Sequence, residues 1–158
     1  MMVSPAKSLA RKLLQTMLAS SFCLAAAFVV LMAEPLKKGE IHGGGMIVFV
    51  ERSSSKAPLQ HGVIAALSDL ENPMSWSDAK ATCDSLTLKG YRDWALPTKE
   101  DLNKLFLNKE SLGGFQSADY WSSSAFEPDS AWSQRFFDGK EHIRSRESRL
   151  RVRPIRKF

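Results

Sequence analysis

Residues 90–98 read GYRDWALPT, and this short stretch sets the punctuation of the chain. Gly90 supplies a helix stop, and Pro97-Thr98, with Asp101 three residues on, supplies a helix start as a variant of the capping box. Upstream, Trp76, Ala79, Cys83 and Leu86 fall at i, i+3, i+7 and i+10, which predicts an amphipathic helix within residues 75–89. Downstream, Leu102, Leu105 and Phe106 mark the buried face of a second helix. Asp93 and Trp94, wedged between the two helices and flanked by Tyr91 and Pro97, read as a tight fold-forming loop. A short carboxylate there needs backbone N–H groups or an arginine, and Arg151, Arg153 or Arg156 is the expected partner.

Outside the helices, the runs are short and β-favouring. Met46–Val50 and Val63–Leu67, separated by the polar residues 51–58, predict a hairpin. After Gly113-Gly114 come residues 120–124 (YWSSS), 131–137 (AWSQRFF), the Asp138-Gly139 turn, 141–146 and 149–153, which predict an antiparallel sheet. The count is therefore two helices, a hairpin before them and an antiparallel sheet after them. Trp76, Trp94, Trp121 and Trp132 are the large candidates for its core, and Tyr120 lies on the opposite strand face from Trp121.

Residues 13–33 (LLQTMLASSFCLAAAFVVLMA) carry no charge and follow Lys7, Arg11 and Lys12. This predicts export, with residues 1–33 a signal peptide cut after Ala33 or an N-terminal membrane anchor, because the uncharged run is long enough for either. Residues 34–43 then read as a tether and 44–158 as one domain. The expected location is the periplasm, the cell surface or the medium, with tethering to the inner membrane through residues 13–33 if they are uncleaved. Of the two cysteines, Cys23 lies in the export segment, which leaves Cys83 without a disulfide partner in the domain.

The formal net charge of +5 is unevenly spread. Residues 1–33 hold +3, residues 34–143 hold −4, and residues 144–158 hold +6 through Arg144, Arg146, Arg149, Arg151, Arg153, Arg156 and Lys157 against Glu147. Arg149, Arg151 and Arg153 share one parity, so an extended strand would line three guanidiniums roughly 6.6 Å apart on one face. Such a row suits a polyanion, and the expected ligand is an anionic glycan or surface polymer rather than nucleic acid, given the location. The alternative is an envelope protein–protein module whose terminal arginines are structural. His42, His61 and His142 share no metal-ligand spacing, and no serine-nucleophile elbow is present. The expectation is a chain that is not an enzyme and needs no cofactor.

The blocks GGMIVFV, HGVIAAL, W-x-x-A-x-x-x-C, GYRDWALPT, YWSSS, AWSQRFFDG and RVRPIR, in that order, resemble the family typified by the C-terminal domain of the Legionella collagen-like protein, from Gly43 to Phe158. The resemblance implies an α+β fold similar to C-type lectins and formylglycine-generating enzymes, with two helices on short twisted antiparallel strands, and extracytoplasmic use in adhesion and glycan recognition. In such a fold Glu127-Pro128-Asp129 would sit in a ligand loop with Ser130, and similar triplets bind calcium in C-type lectins, so Glu127 and Asp129 are weak calcium candidates. A copper-dependent oxidase of the similar fold requires a cysteine pair, which Cys83 alone does not supply. Ala95 departs from the family, which usually has Arg there beside Asp93.

Overall fold

The computed structural model describes residues 35–52 and 60–158. The export segment with Cys23, and the polar residues 53–58 expected between the first two strands, lie outside the described residues. The described chain is α+β, with two antiparallel sheets and three short helices. Sheet one has the order β1-β2-β3-β7, built from β1 (Ile41–His42), β2 (Gly45–Arg52), β3 (Gln60–Ala65) and β7 (Ile155–Lys157). Sheet two is the meander β4 (Asp119–Glu127), β5 (Ser130–Arg135) and β6 (Glu141–Ser145). Among the described residues no helix is long and apolar enough to cross a membrane.

Two of the helices start as their polar caps dictate. In α1 (Trp76–Ser85) the Ser75 hydroxyl accepts the Asp78 amide at 3.3 Å, and in α2 (Lys99–Leu107) Thr98 Oγ1 accepts the Asp101 amide at 3.1 Å. α1 stops at Ser85, short of Gly90, because residues 88–91 do something else. Lys89 and Gly90 both have positive φ (54° and 83°) and form a tight turn in which Leu88 and Tyr91 exchange backbone hydrogen bonds. A third helix, α3 (Lys109–Leu112), is a single turn that the apolar pattern did not mark. It ends at Gly113, with φ of 69°.

The core falls into three clusters. Val48, Leu102, Leu105, Tyr120 and Phe136 lie between sheet one, α2 and sheet two. Ala79 and Cys83 of α1 pack on Trp121, Ala131 and Val152. Ile47, Ile64 and Trp94 form the third. Trp94 and Trp121 are buried, whereas Trp76 and Trp132 are half-buried at the surface.

Of the tether expected over residues 34–43, residues 35–43 are part of the folded unit, which runs from Pro35 to Phe158. β1 pairs with β2, Leu36 packs on the third cluster and its amide donates to Gln60 Oε1 at 3.1 Å. Gly43 and Gly44, both at positive φ, make the turn between these strands rather than a flexible linker.

The strand expected over residues 149–153 does not form. Leu150 bridges Met74 and Arg151 bridges Tyr120, so the segment passes between two different neighbours. The closing strand is β7, which pairs with β3 and whose Ile155 exchanges backbone hydrogen bonds of 2.7 and 2.9 Å with Ala95.

Candidate ligand-binding site

The six closing arginines divide by what their guanidiniums touch. Arg153 is 1% exposed and fully engaged. Its Nε donates to Asp69 Oδ1 at 2.6 Å, and its two terminal nitrogens donate to the carbonyls of Ala66 and Gly114. Asp69 also accepts the Tyr120 hydroxyl at 2.6 Å, and that oxygen accepts the Gln116 amide. This satisfied buried network joins sheet one to sheet two, so Arg153 is not part of an exposed row. The expected face of three aligned guanidiniums is therefore not formed.

Arg156 is the partner of Asp93. Nε and Nη2 donate to the two carboxylate oxygens at 2.9 and 2.8 Å, Nη1 donates to the Gly43 carbonyl, and the guanidinium lies 3.8 Å from the Tyr91 ring centroid. The hydrogen bonds from Arg156 hold the Asp93 carboxyl below the usual carboxylate range. The loop read from the sequence around Asp93, Trp94 and Pro97 is thereby clamped to β7 and to the N-terminal turn.

Arg146 is spent on the predicted ligand loop itself. Its guanidinium donates to the carbonyls of Ser130 and Glu127 at 3.3 and 3.0 Å and rests 4.3 Å from the Trp76 ring centroid. Glu127, Pro128 and Asp129 are exposed, but Glu127 and Ser130 pair across the β4–β5 turn. Arg146 thus occupies two carbonyls of the loop in which the family resemblance places calcium candidates. Among the described residues no group of three or more His, Cys, Asp or Glu is clustered for a metal ion.

Arg144 behaves differently. It belongs to a face of sheet two set by the turn over residues 136–139. β5 ends at Arg135, two residues short of the expected Phe137, so the connection has four residues rather than the Asp138-Gly139 pair alone. In it Gly139 has φ of 79° and a Cβ would run into the Phe106 ring. The turn fixes the β5–β6 register so that Ala131 opposes Arg144 and Ser133 opposes His142, while the Arg135 amide donates to the Lys140 carbonyl. With a side-chain period of two, Arg135, Lys140, His142 and Arg144 project from one face. Asp119, opposite Arg135 on β4, joins them.

Two carboxylates order these cations. Arg144 Nη2 lies 2.7 Å from Asp119 Oδ2, and Arg135 Nε lies 3.9 Å from Asp119 and 3.4 Å from Asp138. Lys140 Nζ is 3.7 Å from Asp138. The Lys140 amide donates to Asp138 Oδ1, and that bond, followed by the charges of Arg135 and Lys140, lowers the Asp138 carboxyl below its ordinary value. Arg135 Nη2 sits 2.7 Å from His142 Nε2, so this nitrogen accepts and His142 carries its proton on Nδ1. The cations are held in place yet remain reachable: Lys140 is 71% exposed, Arg144 43% and Arg135 38%. Arg149 is exposed on the adjoining loop, and half-buried Arg151 donates its amide to the Asp119 carbonyl beside them.

The opposite face of the same sheet carries apolar groups. Trp132 opposes Ile143, and Phe126 meets Trp132 edge-on with ring centroids 5.6 Å apart. Lys99 Nζ covers the Trp132 ring at 3.7 Å and pairs with Glu141 at 2.9 Å. Phe126 and Ile143 are exposed.

Arg135, Lys140 and His142 were not singled out by sequence reasoning. The signal was present, since the Asp138-Gly139 turn fixes the parity that puts them beside Arg144. Cys83 and Tyr120 lie away from this face, in the core. Burial, with a smaller contribution from the Asp84 charge, pushes the Cys83 thiol up to about 12. Burial, together with the hydrogen bond to Asp69, pushes the Tyr120 phenol up as well.

The model of the Lcl C-terminal domain family matches residues 52–156, and the chain belongs to that family. No curated protein matches the chain.

Proposed function

We propose that this member of the Lcl C-terminal domain family is an exported, non-catalytic binding module that takes an anionic glycan, or a comparable surface polyanion, on the β5–β6 face. The observation that carries this reading is the set of Arg135, Lys140 and Arg144 on one sheet face, oriented by Asp119 and Asp138 and still open to solvent. Acid-held guanidiniums are pre-organised, so little side-chain freedom is lost when sulfate or carboxylate groups replace water around them. Arg149 and Arg151 extend the surface, whereas Arg146, Arg153 and Arg156 serve the fold. The finer fold reading, a likeness to C-type lectins and formylglycine-generating enzymes, is supported by short helices packed on small antiparallel sheets. Export through residues 1–33, as a cut signal or a retained anchor, belongs to the same proposal and rests on the uncharged run and its basic flank.

Titration of the purified chain with heparin at rising salt tests the ligand class. Binding is expected at low ionic strength and falls as salt screens the surface. Lys140→Ala combined with Arg144→Ala lowers affinity about tenfold. Absence of binding at low salt, or indifference to that double substitution, contradicts the proposal. A second reading, an envelope protein–protein module with structural arginines, draws on the burial of Arg153 and on exposed Phe126 and Ile143.

A further inference from the structure

Among the described residues, most sheet edges are covered or very short. The outer edge of β4 takes Arg151 through Asp119 and Trp121, β7 is paired with Ala95 through Ile155, and β1 has two residues. β6 has five, Glu141–Ser145, and stands at the end of its sheet with β5 as its neighbour. The register fixes which of its backbone groups are left over. The Arg135 amide donates to the Lys140 carbonyl at one end of the β5–β6 ladder, and the Arg146 amide donates to the Asp129 carbonyl at the other, both at 2.9 Å. Hydrogen-bonded pairs alternate in an antiparallel ladder, so His142 and Arg144 also point their N–H and C=O groups at β5. Glu141, Ile143 and Ser145 point theirs outward.

Of these outward groups, the Ser145 carbonyl accepts the Ser148 amide, and the others have no backbone partner among the described residues. Three donors and two acceptors therefore stand in line, repeating every second residue, or roughly every 6.6 Å. That repeat of paired amide donors and acceptors is matched by an extended polypeptide. The side chains add a pattern to it. Arg144 and His142 lie on the cationic face, where Arg135, Lys140 and Arg144 outnumber Asp119 and Asp138, and exposed Ile143 lies on the other face beside Trp132. Outward pairing at Ile143 puts Arg144 and His142 in non-hydrogen-bonded pairs with an incoming strand, with Cα atoms about 4.5 Å apart and side chains at their closest. An acidic residue opposite Arg144 meets its guanidinium, and one opposite His142 lies diagonally within reach of both Arg144 and Lys140. An apolar residue between them meets Ile143. A second copy of β6, centred antiparallel on Ile143, would instead bring Lys140 against Arg146 and Arg144 against His142, which adds cation to cation.

We propose that β6 is a docking edge for an extended acid-apolar-acid segment of a partner protein, which adds to sheet two as a fourth, antiparallel strand. The outward backbone groups of Glu141, Ile143 and Ser145 hold the segment, and Arg144, Lys140 and Ile143 select its side chains. The charged side chains of β6 serve the same end, since they deter indiscriminate edge pairing while admitting an acidic strand. The inference rests on the outward backbone of β6 and not on the polyanion reading, although the two ligands share Arg144 and Lys140.

The test is calorimetric titration of the full chain with the capped peptide acetyl-Ser-Thr-Glu-Val-Glu-Thr-Ser-amide, alongside amide hydrogen exchange of the chain read by NMR. The peptide is expected to bind, and exchange at the Glu141, Ile143 and Ser145 amides to slow when it does. N-methylation of the peptide's valine removes the N–H that faces the Ile143 carbonyl and lowers affinity at least about tenfold. N-methylation of either glutamate, whose N–H faces solvent, leaves affinity within about twofold. Replacing both glutamates by lysine abolishes binding. No binding of the parent peptide overturns the inference, and so does an equal loss from methylation at valine and at glutamate, or unchanged exchange at the three amides. Heparin binding without peptide binding also overturns it and leaves the polyanion reading standing. Slowing of the same three amides in the free chain as its concentration rises would mean that β6 pairs with a second copy, which overturns it as well.

Discussion

Arg153 and Arg144 are nine residues apart, and their guanidiniums do opposite work. Arg153 has exchanged water for one carboxylate, two carbonyls and an aromatic face, with Phe115 lying 4.0 Å from its guanidinium carbon. Removing it strands the buried Asp69 charge, so Arg153→Met is expected to cost about 3–5 kcal/mol in urea unfolding. Combining it with Asp69→Asn, which keeps an acceptor for the Tyr120 hydroxyl, restores part of that loss because no unpaired charge is left inside. If the double variant is as unstable as the sum of the two singles, the pair does not act as a unit. Cys83 illustrates burial as the main cause of a raised pKa, with the Asp84 charge adding to it. With its thiol pushed up to about 12, it stays protonated at neutral pH. Mass mapping after iodoacetamide treatment should find Cys83 unmodified in the native chain and modified in urea. Rapid native labelling would refute its assignment to the core.

The β5–β6 hairpin shows what a turn decides at the level of an element. One residue of slippage at Asp138-Gly139 would send Lys140 and Arg144 to the apolar face and Ile143 to the charged one. Gly139 allows the turn beneath Phe106, and Asp138 closes it by accepting the Lys140 amide. Asp138 has a second effect, since its charge offsets the cations around it. Its carboxyl is lowered in the folded chain, so its contribution to stability is complete above the unfolded aspartate value, roughly 4. That contribution is lost as pH falls through the lower folded value. A sulfated polymer stays ionised across that range while Asp138 becomes neutral, so affinity for it rises. Asp138→Asn should raise heparin affinity by a few-fold at pH 7 while weakening the turn. Lower affinity in this variant would mean that the carboxylate orders the cations more than it repels the ligand.

Across the molecule, the elements tied to local chemistry were legible and those tied to distant partners were not. Thr98 and Asp101 announce α2 through contacts three residues apart, and the alternation around Trp121 announces β4. The same reasoning carried α1 past Ser85, because Leu86 fits the helical stripe even though Lys89-Gly90 makes a turn instead. It also made a tether of residues 34–43, where glycines serve a tight turn and β1 joins a sheet whose other members lie further along the chain. The arginine row failed for a related reason. Parity along residues 149–153 assumes one continuous strand, but Asp69 draws Arg153 inward across more than eighty residues of sequence. Charge counting found the basic end of the chain and could not tell which guanidiniums were already taken.

That division of the closing arginines is the centre of the account, and one measurement addresses it directly. Urea unfolding of the single variants of Arg144, Arg149, Arg153 and Arg156 to alanine, each with and without heparin, reads stability from the free midpoint and binding from the shift that heparin produces. Arg153→Ala and Arg156→Ala should lower the free midpoint and keep the heparin shift, whereas Arg144→Ala and Arg149→Ala should keep the midpoint and lose much of the shift. A heparin shift that disappears with Arg153 or Arg156 and survives without Arg144 and Arg149 would contradict it.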